Sequence, residues 1–244
     1  MRQLLPEPAE IDPASAHASA HRPTPADRPW VLLNMVASID GATAIDGVSG
    51  GLGGPADRAV FAAIRASVDV ILVAAGTARA EAYGPPRTSA ERQAARLHRG
   101  QSAKPRMALV TRSLDLDPST TLFTEATEPP LIFTTDDAPS DRVRSFDGRA
   151  EVVGVGDHGV DLNRALAHLH AIGARTVLVE GGPSLNGQLT EADLVDEVNV
   201  SLSPILVGGD SARMVHGTAA APLPMALEHL WEQDGLLFAR YCRS

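Results

Sequence analysis

IGARTVLVEGGPSLNGQL, residues Ile172–Leu189, puts the end of a helix, an apolar strand, a glycine turn and the start of a new helix into eighteen positions. Thr176–Val179 is a short β-branched apolar run, the pattern of a strand buried on both faces, and Gly181-Gly182 free the backbone where that strand stops. A helix is predicted to restart at Pro183, because a first turn loses nothing by a missing N–H, and Ser184 and Asn186 add donors beside the free amides. Such an N-terminus attracts anions. Gly181–Asn186 therefore reads as a phosphate cradle or, more plainly, as an ordinary strand-to-helix turn, and the rest of the chain has to decide between them.

Outward from this stretch the pattern is α/β. Upstream, Leu162, Leu166, Leu169 and Ile172 are spaced as the apolar face of a helix over Leu162–Ile172. Downstream, the new helix ends by Val195, Asp196–Leu202 alternates as a strand does, and Pro204–Asp210 reads as a further short strand broken by glycine. The tail carries Ala226–Trp231 and Gly235–Tyr241, two antiparallel strands joined at Asp234-Gly235, a strong hairpin signal.

Nearer the N-terminus, Trp30–Val36 is the first central strand and ends in the turn Ala37–Gly41. Asp46–Pro55 has five glycines in ten positions, too many for turn geometry alone unless backbone lies close to something. A helix is predicted over Pro55–Val68, with Arg58 and Arg65 two turns apart on one side. Asp69–Ala75 is a second central strand, and Gly76-Thr77 after it repeats the strand, glycine and helix-start logic of the opening stretch. Arg87–Gln101 and Ala138–Phe146 read as helical, and Met107–Thr111, Leu131–Thr134 and Glu151–Val155 as strands.

Composition narrows the class. At 44% hydrophobic and 21% charged residues, 244 residues suit one globular domain over 29–244, without a run of bilayer-spanning length. A net charge of −9 with only 4% aromatics argues against a nucleic-acid partner, and a single cysteine, Cys242, excludes a disulfide framework or a Cys-based zinc site within the chain. A metal-free cytoplasmic protein is the expectation. Residues 1–28, rich in Pro, Ala, Asp and His, read as a loose, flexible leader that docks or dangles.

Three strand ends, Ala37–Gly41, Ala75–Thr77 and Gly181–Asn186, carry small turns, and in an open parallel sheet such ends converge on one ligand cleft. The segments N-M-V-A-S-I-D-G-A, D-V-I-L-V-A-A-G-T, V-L-V-E-G-G-P-S-L-N and L-V-D-E-V-N-V-S-L-S-P-I-L-V-G-G, in that order, resemble the pyrimidine reductases of riboflavin biosynthesis, the reductase half of a bifunctional deaminase–reductase. The resemblance runs from about Pro29 to Tyr241. It implies a dihydrofolate-reductase-like fold: a mixed, mostly parallel sheet flanked by helices and ending in an antiparallel hairpin. It also implies NADPH-dependent reduction of a ribosylamino group to ribitylamino by hydride delivery to the sugar C1′, in a homodimer.

Carried onto this sequence, the resemblance lines NADPH with Ala37, Gly51, Gly76, Thr77, Glu81, Gly181, Gly182, Pro183, Ser184, Leu185 and Asn186. Asn34, Ser49, Arg65, Arg87 and Glu180 face the small-molecule substrate, with Arg65 and Arg87 as phosphate partners; Asp40, in the motif S-I-D-G, takes a structural or orienting role, and Asp40, Glu180 or a bound water are the candidates for handling the proton. The first strand departs from the family pattern by carrying Asn34 where a Lys is usual, and Glu81 replaces an Asp. Reduction of dihydrofolate or another pterin is the alternative on the same fold, and a non-catalytic nucleotide-binding protein is the alternative outside enzymes.

Overall fold

In a computed structural model that describes residues 1–217 and 222–244, the chain runs β1 (Arg2–Leu5), β2 (Ala9–Glu10), α1 (Pro13–Ala18), β3 (Trp30–Ser38), α2 (Pro55–Ser67), β4 (Val70–Ala74), α3 (Ala75–Ala80) and α4 (Ala90–His98). It continues with β5 (Arg106–Val110), α5 (Thr121–Thr124), β6 (Leu131–Thr134), α6 (Ser140–Arg144), β7 (Glu151–Gly154), α7 (Leu162–Ala171), β8 (Thr176–Val179), α8 (Pro183–Glu191), β9 (Glu197–Ser203), β10 (Met225–Gln233) and β11 (Leu236–Arg243). All the strands share one sheet of order β2-β1-β10-β11-β9-β3-β8-β4-β5-β6-β7. From β9 to β7 every neighbour is parallel, and the other edge is antiparallel. This is the mixed, mostly parallel sheet of a dihydrofolate-reductase-like fold.

Strand alternation sorts the side chains between two cores. Val31, Leu33, Val70, Leu72, Val177 and Val179 pack against Leu166 and Leu169 of α7 and Leu185 and Leu189 of α8. Leu32, Ile71, Val73 and Leu178 point the other way, onto Val60 and Ile64 of α2. The same period therefore sends Asn34 and Glu180 to the α2 face. The C-terminal hairpin closes through Asp234 (φ 56°) and Gly235 (φ 79°), the two successive positive φ values of a type I′ turn.

Two expectations are corrected. Residues 1–28 are docked. β1 adds to the sheet beside β10, α1 is capped by the Asp12 side chain on Ser15 N–H, and His17 is buried edge-on against Trp231. The reason is a buried charge on β9. Glu197 is fully enclosed and takes a two-pronged bond from Arg22, at 2.8 and 3.0 Å, with further donors from Arg240, Trp30 and Asn199. Burial raises that carboxyl, but the Arg22 and Arg240 charges and their hydrogen bonds outweigh it and hold the group far below the usual carboxylate range. Composition identifies polar residues in the leader but not that one of them neutralises a site 175 residues away.

The second correction is Pro204–Asp210, which forms no strand. Gly208 (φ 68°) and Gly209 (φ 69°) turn left-handed in succession, and the N–H groups of Val207 and Gly208 are taken by the Asp40 carboxylate instead of a neighbouring strand. The one-turn helix α5, Thr121–Thr124, lies in a turn-rich connection where no element was expected, and the remaining differences are shifts of element ends by one to four residues.

Candidate active site

The middle of the sheet sends its chains in opposite directions. From β3 the chain crosses to α2 on one face, whereas its neighbour β8 runs into α8 on the other, so the loops beyond the carboxyl ends diverge. A crevice opens at such a point. Here it is a cleft of 1230 Å³, lined from β3 by Asn34, Met35 and Val36, from α2 by Asp57, Arg58, Phe61 and Arg65, and from the end of β8 by Glu180–Pro183. That volume exceeds what one drug-sized ligand fills and suits two ligands side by side.

One wall is an ion pair. Arg65 places Nε and Nη2 each 2.6 Å from the two oxygens of Glu180, a fork-to-fork pair, and the Tyr83 hydroxyl donates to Glu180 Oε2 at 2.7 Å. The Glu180 side chain is 2% exposed. Arg65 also stacks over the Phe61 ring at 4.2 Å, and Asp57, Phe61 and Arg65 follow one another at four-residue steps along α2. Burial lowers the Arg65 guanidinium, but the Glu180 charge and hydrogen bonds more than offset this and leave it raised. Burial first, and the Glu180 charge second, push the Tyr83 phenol upward, so it keeps its proton and remains a donor. Tyr83 and Phe61 were not anticipated from sequence, although Phe61 sits at the helical spacing that would have included it.

The opposite wall is backbone. Gly181 is left-handed at φ +92°, its peptide bond to Gly182 is cis, and a Cβ built on Gly182 would lie 2.7 Å from Thr77 Oγ1. The turn after β8 and the first turn of α3 thus touch. Neither α8 nor α3 has a side-chain N-cap, nor does α2, while α1, α4 and α7 are capped by Asp12, Ser89 and Asp161. Of the helices without such a cap, which also include α5 and α6, α2, α3 and α8 bring residues of their first turns to the cleft, where uncapped N–H groups can meet an anion. Two loops form the roof. Thr43 N–H donates to Ser211 Oγ at 3.0 Å and its hydroxyl to the Ala212 carbonyl at 2.8 Å, and Ser49 N–H donates to Glu81 Oε1 at 2.8 Å.

Residues 29–235 match the RibD C-terminal domain family. The chain belongs to this family, the pyrimidine reductases of riboflavin biosynthesis. It is 33% identical over 189 residues to the 2,5-diamino-6-ribosylamino-4(3H)-pyrimidinone 5′-phosphate reductase of Methanothermobacter thermautotrophicus, covering 76% of this chain and 82% of that one. A pyrimidine reductase-like protein of Corynebacterium diphtheriae superposes with a TM-score of 0.85 at 26% identity, over 96% of this chain and 99% of its own. The diaminohydroxyphosphoribosylaminopyrimidine deaminase/5-amino-6-(5-phosphoribosylamino)uracil reductase of Thermotoga maritima shares the fold, with a TM-score of 0.70 at 18% identity over 89% of this chain and 57% of that one. These relatives make the chain an oxidoreductase.

In this RibD C-terminal domain reductase the sequence-derived residues fall into two groups. Asn34, Ser49, Arg65, Thr77, Glu81, Arg87, Glu180, Gly181, Gly182 and Pro183 line the cleft together. Ala37, Asp40, Gly51, Gly76, Ser184, Leu185 and Asn186 do not line it. Leu185 packs in the core, and Asn186 is buried with its Nδ2 donating to the Met214 carbonyl at 2.8 Å, holding the roof loop against α8. Asp40 holds the same loop from its other end. Its carboxylate accepts from Ser38 Oγ at 2.5 Å and from the Gly208 N–H at 2.7 Å, and the Ser38 bond first, then the backbone N–H bonds, lower it to about 2. Among the described residues no group of three or more His, Cys, Asp or Glu could hold a metal, and no helix is long and apolar enough to cross a membrane.

Proposed function

We propose that this chain is the NADPH-dependent reductase that converts the ribosylamino group of a pyrimidine 5′-phosphate to ribitylamino, working as a cytoplasmic homodimer. The observation that carries the reading is the contact between the Gly181-Gly182 turn and Thr77. It joins two uncapped helix starts into one cradle of neutral donors, the chemistry that a dinucleotide's phosphates require. When bound there, reduced nicotinamide supplies the hydride.

The chain's own residues do the rest by position. Thr77, Gly182 and the first turn of α8 hold the phosphates, and the cleft beside Asn34 and Phe61 takes the substrate ring. For the substrate's phosphate, Arg65 is already committed to Glu180. Arg58, Arg87 and Arg92 line the cleft and, among the described residues, have no acidic partner within 4.0 Å, so they are the anchors. Glu180, fully paired, orders Arg65 and Tyr83. Holding donor and acceptor carbons about 3–3.5 Å apart is the main catalytic contribution.

The test is loss of NADPH absorbance with the ribosylaminopyrimidine phosphate. Turnover at a rate set by the protein is expected, and absence of both turnover and NADPH binding would sink the reading. Gly182→Ala is expected to push the Thr77 hydroxyl from its place and weaken NADPH roughly 10-fold or more, the worth of one or two hydrogen bonds, with a thermal midpoint close to that of the parent protein. An unchanged dissociation constant would remove Thr77 and Gly182 from the cofactor site.

A further inference from the structure

Among the described acidic side chains of the cleft, one is partly buried yet has neither a backbone nor a cationic donor. Glu180 takes three donors and Glu81 takes the Ser49 N–H, while Asp46 and Asp210 lie on exposed loops where water serves them. Asp57 is different. It stands in the first turn of α2, partly buried, and no backbone N–H or cationic side chain of the described residues is hydrogen-bonded to it. Burial holds its carboxyl above the ordinary range, and only the Ser201 hydroxyl and the nearby Arg58 charge work against that. Ser201 is on β9, paired with Val36, and Asn34 lies two residues earlier on the same face of β3, about 7 Å along the strand. Asn34 is neutral, so β3 brings no cation to the Asp57 carboxylate. Phe61, one turn further along α2, gives the same spot an apolar flank.

A carboxylate that lines the cleft and is short of donors matches a ring that offers two adjacent N–H groups. We infer that Asp57 reads the substrate ring by accepting N3–H and the exocyclic 2-amino group of a 2-amino-4-oxopyrimidine, and so selects that ring over the corresponding uracil. The inference rests on the cleft being the pyrimidine site proposed above. A uracil presents a carbonyl at ring position 2, whose lone pairs would face the Asp57 oxygens, so one bond is replaced by a repulsion. The two ring types are those in the names of the Methanothermobacter and Thermotoga proteins. For this chain, the selection places the reduction before the hydrolytic deamination at that ring carbon. Reduced pterins present the same 2-amino-4-oxo edge, which makes dihydrofolate a necessary control.

The experiment compares the parent protein and Asp57→Asn on three compounds: the 2-amino-4-oxo ribosylaminopyrimidine phosphate, its uracil counterpart and dihydrofolate. NADPH consumption and calorimetric binding are both read, with a thermal midpoint to check folding. The parent protein is expected to prefer the 2-amino ring by roughly 10- to 100-fold in kcat/KM and in binding, the worth of a charged hydrogen bond. In Asp57→Asn the carboxamide N–H can donate to a 2-oxo group, so the preference shifts toward uracil. Asp57-dependent use of dihydrofolate above both pyrimidines would support the edge recognition and assign it to a pterin. Equal use of both pyrimidines by the parent protein, or an equal loss on both in Asp57→Asn, would overturn the inference while leaving the reductase reading intact. If neither ring turns over, the binding preference still decides. Binding of neither would end both proposals.

Discussion

Arg65→Met is expected to abolish turnover and to lower the unfolding free energy by about 3–5 kcal/mol, the penalty for leaving a buried charge without its partner. The Glu180 side chain is 2% exposed, and Arg65 supplies two of its three donors, both at 2.6 Å. The Tyr83 hydroxyl alone cannot neutralise a carboxylate. Replacing both partners in Arg65→Met/Glu180→Leu is expected to regain much of the stability, because two apolar groups of similar volume leave no charge stranded, yet the double variant should stay inactive. Tyr83→Phe removes one donor and is expected to cost less, about 1–2 kcal/mol. Chemical denaturation at constant slope, together with NADPH turnover, separates the cases. If Arg65→Met unfolds at the parent midpoint, the pair is open to solvent and its role in shaping the cleft fails.

The docked N-terminal arm leads to the second large effect. Arg22→Met is expected to destabilise the protein by a similar 3–5 kcal/mol, because Glu197, with 0% exposure, would keep only Arg240 as a cationic partner. Acid should release the same arm. Burial first, then the Arg22 charge, lower His17 to about 3, and burial followed by the Arg240 charge lowers His229 to about 4, both from 6.5. Each histidine binds its proton more readily when unfolded. Their contribution to stability is therefore complete above pH 6.5 and is lost as pH falls toward 4 and then 3, at about 1.4 kcal/mol per pH unit for each group. Glu197, whose folded pKa is also depressed, adds to the loss as pH falls below its ordinary value near 4.5. His17→Phe keeps the aromatic contact with Trp231 and should flatten the fall in thermal midpoint between pH 6.5 and 4. An identical pH profile in that variant would show that His17 does not control the acid response.

What spacing encodes, the sequence revealed. Apolar runs placed β3, β4 and β8 at the centre of a parallel sheet, Asp234-Gly235 marked the hairpin, and Gly181-Gly182 marked the turn that became one wall of the cleft. Those signals are local: a period of two, a period of 3.6, or a residue that tolerates positive φ. Alternation from Leu178, once the structure shows which face meets α2, puts Glu180 on that face as well.

The partners of the charged residues were beyond it. Arg65 read as a phosphate ligand, with no sign of the carboxylate 115 positions later that it is bound to, and Arg22 read as part of a loose leader and is the counter-ion of Glu197. Asp40, read as an orienting residue and a candidate proton donor, holds a loop 167 residues away that the pattern took for a strand, a partner that its motif did not reveal. Asp57 gave no signal at all, since its importance lies in the donors it lacks. A charge is specified by what surrounds it in space, and the chain's sequence spacing carries no record of contacts made across more than a hundred residues. The sequence by itself determined the family, the sheet and the position of the cleft at the strand ends. Only the tertiary structure decided which charges are spent on holding that cleft together and which are left for a ligand, because desolvation and pairing exist only once the chain has folded.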